Sequence, residues 1–275
     1  MELSEARGKL VVIGGAEDRE GDCIILKEFV RLAKGDKAHI VVMTVATDHP
    51  EEVGADYKKI FKRLGAADVK VVDVSQREDT ESSKAMDAIE EATGLFFTGG
   101  DQLHITALLG GTEMDRIIKK RFGKGLVLGG TSAGAAMMSN SMMLGGESET
   151  NPRFGSVEIG PGMDFLMGTL IDTHFSQRGR HGRLITATAH YPQDMGIGID
   201  EDTAMVVNRN EFEVIGSGAV TIIDAGGITH TNLHEIRKEE GIELHNIRVH
   251  ILPRGARFSL TERKPLALEA AGQGR

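Results

Sequence analysis

Cysteine is almost missing from this chain. Cys23 is the single one in 275 residues, so no internal disulfide can brace the fold, and a reducing compartment suits it. Positive charge is also short: 32 Lys and Arg stand against 41 Asp and Glu, a formal net charge of -9, and no basic stripe interrupts the balance. Nucleic acid is therefore not an expected partner. No run approaches the roughly 20 apolar residues of a membrane span. Met1–Arg7 is charged with no apolar signal region behind it, so a cytoplasmic protein with no membrane partner is expected. No P-loop occurs, the pair Gly14-Gly15 lacks the third glycine of a dinucleotide fingerprint, and no closely spaced histidines with carboxylates mark a metal site. Neither cofactor nor metal is expected. No internal repeat, low-complexity tract or Pro/Gly/Ser-rich linker divides the chain, so residues 1–275 read as a single domain. Composition leaves the oligomeric state open, a homodimer included.

What is present is an alternation of short apolar runs with amphipathic ones. Leu10–Ile13, His39–Val45, Val69–Val74, Leu95–Thr98 and Leu126–Leu128 read as buried strands. Between them, Ile25, Leu26, Phe29, Val30 and Ala33, then Val53, Tyr57, Ile60, Phe61 and Leu64, then Ala85–Ala92 follow helical spacing, with Gly35 and Gly65 as stops. This order predicts an α/β fold: a mostly parallel sheet flanked by helices on both faces, with function at the carboxyl ends of its strands. From about residue 200 the character changes. Thr203–Val207, Phe212–Ile215, Val220–Ile223 and Ile247–Leu252, joined by Asn, Gly and Asp turns, predict an antiparallel β extension. The tail Ala271–Arg275 reads as loose.

At the end of the Leu126–Leu128 strand stands Gly130-Thr131-Ser132-Ala133-Gly134, a G-x-S-x-G pattern followed by the helix formers Ala135, Ala136, Met137 and Met138. Such a strand-to-helix turn lifts a serine oxygen clear of the sheet and leaves helix N–H groups beside it, the geometry of acyl transfer. Ser132 then needs a base. Among ten histidines, His174 stands out, because it follows the short strand Leu170–Thr173 and precedes Arg178, Arg180 and Arg183, which suit a substrate bearing carboxylates. Gly99-Gly100-Asp101-Gln102 closes another strand and opens a helix. Asp101 fits an N-cap, Gln102 a substrate contact, and the N–H groups of Gly100 and Ala133 an oxyanion hole.

These motifs, with the Gly14-Gly15-Ala16-Glu17-Asp18 opening and Asp172-Thr173-His174-Phe175, resemble the cyanophycinase family of serine peptidases over nearly the whole chain. The resemblance implies a fold like that of class I glutamine amidotransferases. It also implies Ser132 as nucleophile, His174 as general base and Glu201 as the orienting acid, in a chain order unlike that of α/β-hydrolases. From the residues alone, Asp200, Glu201 or Asp202 could face the histidine: an extended segment would point Glu201 away from its two neighbours, and a turn would not. Asp172 is ranked as substrate-facing, toward a guanidinium. Thr173 stands where a longer polar side chain is expected in relatives. The implied activity is hydrolysis of cyanophycin, an arginine-decorated polyaspartate, to β-aspartyl-arginine. Two alternatives are an α-aspartyl dipeptidase acting on aspartyl peptides and a noncatalytic binding protein on the same fold.

Overall fold

Four consecutive apolar residues, Leu10–Ile13 (β1), are all buried, as a strand covered on both faces requires. A computed structural model describes residues 8–148 and 151–267; the segment Met1–Arg7 and the tail Ala271–Arg275 lie outside these residues. The expected alternation follows as α1 (Ile24–Leu32), β2 (His39–Met43), α2 (Pro50–Arg63), β3 (Asp68–Val72), α3 (Ser83–Glu91), β4 (Gly94–Phe97), α4 (Gln102–Leu109), α5 (Glu113–Gly123), β5 (Val127–Thr131) and α6 (Ala133–Ala136). Next come β6 (Ser139–Gly146), β7 (Val157–Pro161), β8 (Leu166–Asp172), α7 (His181–His190), β9 (Met195–Ile199), β10 (Thr203–Asn208), β11 (Glu211–Gly216) and β12 (Ala219–Asp224). Five short or edge strands close the chain: β13 (His230–Thr231), β14 (Leu244–His245), β15 (Arg248–Pro253), β16 (Arg257–Ser259) and β17 (Lys264–Leu266).

Among the described residues the strands form a nine-stranded sheet, β17-β16-β11-β10-β1-β5-β4-β2-β3, a six-stranded sheet, β15-β12-β9-β8-β6-β7, and a short pair, β13-β14. In the large sheet β1, β5, β4, β2 and β3 are mutually parallel, and β10 adds to β1 antiparallel. The predicted antiparallel strands all exist, but they part company: β10 and β11 extend the large sheet, whereas β12 and β15 belong to the smaller one.

That second sheet is the main departure from the sequence expectation. Its strands β6, β8 and β9 are parallel neighbours. The helix expected through Met138 stops after one turn, because the carbonyls of Met137 and Met138 are taken by the amides of Met163 and Leu166, and β6 begins. Strand alternation divides the second sheet's side chains between two layers. Met142, Ile171, Ile197, Ile199 and Ile222 join Val12, Met43, Leu95 and Phe97 in the core between the sheets, while Met143, Leu170 and Ile223 pack under Leu184 and Ala187 of α7. On the opposite face of the large sheet, α1 and α2 bury Phe29, Tyr57 and Phe61 around Phe96, with ring centroids 4.9 to 5.9 Å apart. Aromatic pairs at such separations contribute about 0.5–1.5 kcal/mol each beyond the area they bury. No helix among the described residues is long and apolar enough to cross a membrane.

The carboxyl ends of β1, β4, β5, β8 and β9 converge, and each carries one of the sequence's polar motifs just beyond its last residue. This convergence sets the position of the site.

Candidate active site

Ser132 follows β5 directly and sits at φ 52°, ψ -109°, a sparsely populated conformation of the kind that marks functional turns. The flanking glycines permit it. A Cβ on Gly130 would lie 2.1 Å from the Gly134 carbonyl oxygen, and one on Gly134 would lie 2.4 Å from that of Phe97, so side chains at either position would force the elbow open. Ala133 opens α6, and a first-turn N–H has no intrahelical acceptor. The Gly99-Gly100 loop lies alongside: a Cβ on Gly99 would meet that of Ser132 at 3.6 Å, and Gly100, at φ 141°, lines the same cavity as Ser132.

His174 enters from the second sheet, two residues past β8. Its Nε2 is 3.0 Å from Ser132 Oγ and its Nδ1 is 2.7 Å from Glu201 Oε1. With Nδ1 donating to the carboxylate, Nε2 is left to accept the serine proton, the arrangement of a nucleophile, a base and an orienting acid. Glu201 is not on an extended strand; it lies in the turn between β9 and β10, so alternation does not select it. Its neighbours are committed elsewhere. Asp200 accepts from the amides of Ser176 and Ala219, and Asp202 accepts from that of Asp18. Gln177 Oε1 accepts the Glu201 N–H at 3.0 Å and fixes the turn.

The opening Gly14-Gly15 pair, which fits no dinucleotide fingerprint, is part of this site. The His174 N–H donates to Gly14 O at 2.8 Å, and a Cβ on Gly15 would lie 2.3 Å from the imidazole Cε1. Only glycine lets the β1 loop lie flat against the ring, and Gly15 is also at φ 100°.

Beside His174 a cavity of about 120 Å³ is lined by Gln102, Thr173, Arg178, Arg180 and Arg183 among others. A larger groove, about 450 Å³, runs along the edge strand β3, away from Ser132. The polar residues of the smaller cavity do not all act as the sequence suggests. Asp172 is 1% exposed and its two oxygens are already occupied: Arg183 donates to both, to Oδ2 at 2.7 Å, and Arg180 Nη1 donates to Oδ1 at 3.3 Å. The expectation that Asp172 receives a substrate guanidinium is therefore corrected, as is that of Arg183 as a free carboxylate grip, because the two form a buried bidentate pair. Gln102 Nε2 donates to the carbonyls of Met143 and Leu144, tying α4 to β6, and Asp101 caps α4 by accepting from Leu103 N. Thr173 is buried and offers its carbonyl to Arg180 at 2.6 Å.

Arg180 differs from Arg183. One carboxylate cannot neutralise two guanidiniums, and the buried Nε of Arg180 has no hydrogen-bond partner. Burial lowers its pKa to about 10, Asp172 opposes that, and Arg183 and Arg178 add repulsion. A desolvated, under-compensated cation with a spare donor, with exposed Arg178 nearby, is suited to an anionic group.

The sequence matches peptidase family S51 over residues 10–215, more than half of the chain. The chain belongs to that family. Membership makes it a serine peptidase, a hydrolase. This S51 peptidase is similar to the cyanophycinase of Trichormus variabilis, at 41% identity over 259 residues covering 94% of this chain and 87% of the relative. It is also 40% identical over 263 residues to the cyanophycinase of Geminocystis herdmanii, covering 95% and 97% of the two chains. A solved peptidase from an acI-B1 actinobacterium shares the fold, with a TM-score of 0.66 at 21% identity over 92% of this chain and 97% of that one. Within the site, sequence reading gave no role to Gln177 or to the β1 loop residues 14–17, although the loop's opening run was among the motifs that carried the resemblance. The loop's only signal was the Gly-Gly-Ala-Glu-Asp run itself, which matches no phosphate-binding pattern, and Gln177 had none.

Proposed function

We propose that this S51 peptidase hydrolyses cyanophycin from chain ends, releasing β-aspartyl-arginine through an acyl-enzyme on Ser132. The observation that carries the reading is the relay of 3.0 and 2.7 Å from Ser132 through His174 to Glu201, beside a cavity that Arg178 and Arg180 also line. The cyanophycinases that the chain resembles at 40–41% identity supply the substrate class.

In this reading His174 Nε2 takes the Ser132 proton as Oγ attacks the scissile carbonyl, and the N–H groups of Ala133 and Gly100 hold the oxyanion. His174 then protonates the departing amine, and water, deprotonated by the same nitrogen, releases the product from Ser132. Arg180 and Arg178 receive the free carboxylate that each repeat of the polymer carries; the Asp172–Arg183 pair forms the wall that holds Arg180 in place. Residues 1–275 act as one domain in the cytoplasm.

The test is to incubate the purified protein with cyanophycin, α-linked Asp-X dipeptides and a β-linked Asp-Arg peptide, and to identify products by mass spectrometry. Soluble β-aspartyl-arginine from the polymer is the expected result. Cleavage of the α-linked dipeptides alone would establish the dipeptidase instead, and no cleavage of any would establish a binding protein.

A further inference from the structure

Beneath the nucleophile lies a buried polar cluster that the proton relay does not use. The Glu17 side chain is fully buried, and both of its oxygens accept hydrogen bonds. Oε2 takes the hydroxyl of Thr131, the residue before Ser132, at 2.6 Å. Oε1 takes the phenol of Tyr57 at 2.5 Å and Arg19 Nε at 3.1 Å. Arg19 also donates to the Tyr57 oxygen at 2.7 Å and lies over its ring at 4.6 Å. Burial, then the charge of Glu17, pushes the Tyr57 phenol well above its ordinary value, so it stays protonated as a donor. Tyr57 in turn is wedged against Phe61 and Phe96 in the core under α2.

Glu17 lies in the loop between β1 and α1 that starts at Gly14, and this loop touches all three relay residues or their immediate neighbours. Gly14 O holds the His174 amide, and Gly15 lies against the imidazole. Gly15 O accepts the amide of Asp202, next to Glu201, at 2.9 Å, and the Asp18 amide donates to Asp202 Oδ1 at 2.9 Å. Thr131, through Glu17, completes the set. We propose that Glu17 is a positioning residue: its bond to Thr131 clamps the β1 loop to the end of β5 and thereby sets the spacing between Ser132 Oγ and the imidazole. This rests on the reading of Ser132 as the nucleophile.

Buried carboxylates of this kind can also be merely structural, and the two roles separate experimentally. Thr131→Val removes the clamp's hydroxyl at nearly constant volume, Thr131→Ser retains it, and Glu17→Gln removes the charge. Each variant is measured for kcat and KM on cyanophycin, for the rate at which a neutral fluorophosphonate labels Ser132, and for melting temperature. Misplacement of reacting groups by about 1 Å can cost up to about a hundredfold in rate. Thr131→Val and Glu17→Gln should therefore lose between about tenfold and that factor in both kcat and labelling rate, with KM within about twofold, whereas Thr131→Ser stays near the parent. If the melting temperature falls while kcat and labelling stay within about twofold of the parent, Glu17 is structural and the proposal is overturned; a change confined to KM overturns it equally. Should Thr131→Val fail to fold, Glu17→Gln decides by the same readings. A parent protein that the probe does not label refutes the reading of Ser132 itself, and the clamp with it, an outcome distinct from labelled but unaffected variants.

Discussion

The two sheets bring different things to the cleft, and they do so by different means. The large sheet presents mainly backbone: the elbow at Ser132, the Gly99-Gly100 loop, and the Gly14-Gly15 loop pressed on the imidazole. The smaller sheet presents side chains, with His174 and Asp172 from the end of β8, Glu201 from the end of β9, and the arginines before and within the first turn of α7. Chemistry in the first region is fixed by local turns in which only glycine fits. In the second it depends on contacts between residues far apart in the chain, such as the 27 positions separating His174 from Glu201. Substitutions should therefore act differently in the two regions.

The largest effects are expected where the sheets meet. Ser132→Ala and His174→Ala should each lower kcat by about 10⁴-fold or more with the fold intact, and Glu201→Gln by less, because an orienting acid typically contributes less than its partners. Steady-state kinetics with circular dichroism as a control would check this, and sensitivity at Asp200 or Asp202 greater than at Glu201 would contradict the geometry. Next comes Asp172→Asn, which leaves the buried Arg183 and the half-buried Arg180 facing a neutral amide. Breaking a buried ion pair costs about 3–5 kcal/mol, so denaturant unfolding should show a large loss of stability here and almost none in Ser132→Ala. The contrast separates the wall of the pocket from the chemistry.

The amount of this that the sequence disclosed follows the same division. β1 to β5 and α1 to α4 were legible because the strands are short runs that are mainly apolar and α1 and α2 carry a clear 3.6-residue stripe, whereas α5 was not foreseen. The elbow was legible because its glycines and serine are contiguous. The second sheet was legible only in part: β8, β12 and β15 were read as strands, but β6 reads SNSMMLGG and β9 reads MGIGI, and neither announces a strand. Gly198 in β9 is explained only by the Phe175 ring, which occupies the space where a side chain would go. For the same reason the occupancy of Asp172 by Arg183, 11 residues later, and the link from Glu17 to Thr131, 114 residues later, could not be seen in the spacing.

Smaller effects should sharpen the distinction within the arginines. Arg180→Lys keeps charge but loses the forked donor edge, and should cost about 1–3 kcal/mol in kcat/KM on cyanophycin while fluorophosphonate labelling of Ser132 remains near the parent rate. Arg178→Lys, at an exposed position, should cost less than about 1 kcal/mol in the same assay. A pH series adds a further check on Arg180. With its pKa lowered to about 10, the side chain is charged at neutral pH and loses its proton as pH rises through that value. KM for the polymer should be flat through the neutral range and rise above about pH 10, a rise absent in an Arg180→Met variant, whose KM is already high.

The central claim is that the serine of one sheet is activated by the histidine of the other. Its most direct test is to map a fluorophosphonate adduct by peptide mass spectrometry in the parent and in His174→Ala. The geometry predicts one adduct, on Ser132, formed rapidly in the parent and at a small fraction of that rate in the variant. An adduct on another residue, or equal rates on Ser132 in both proteins, would contradict it.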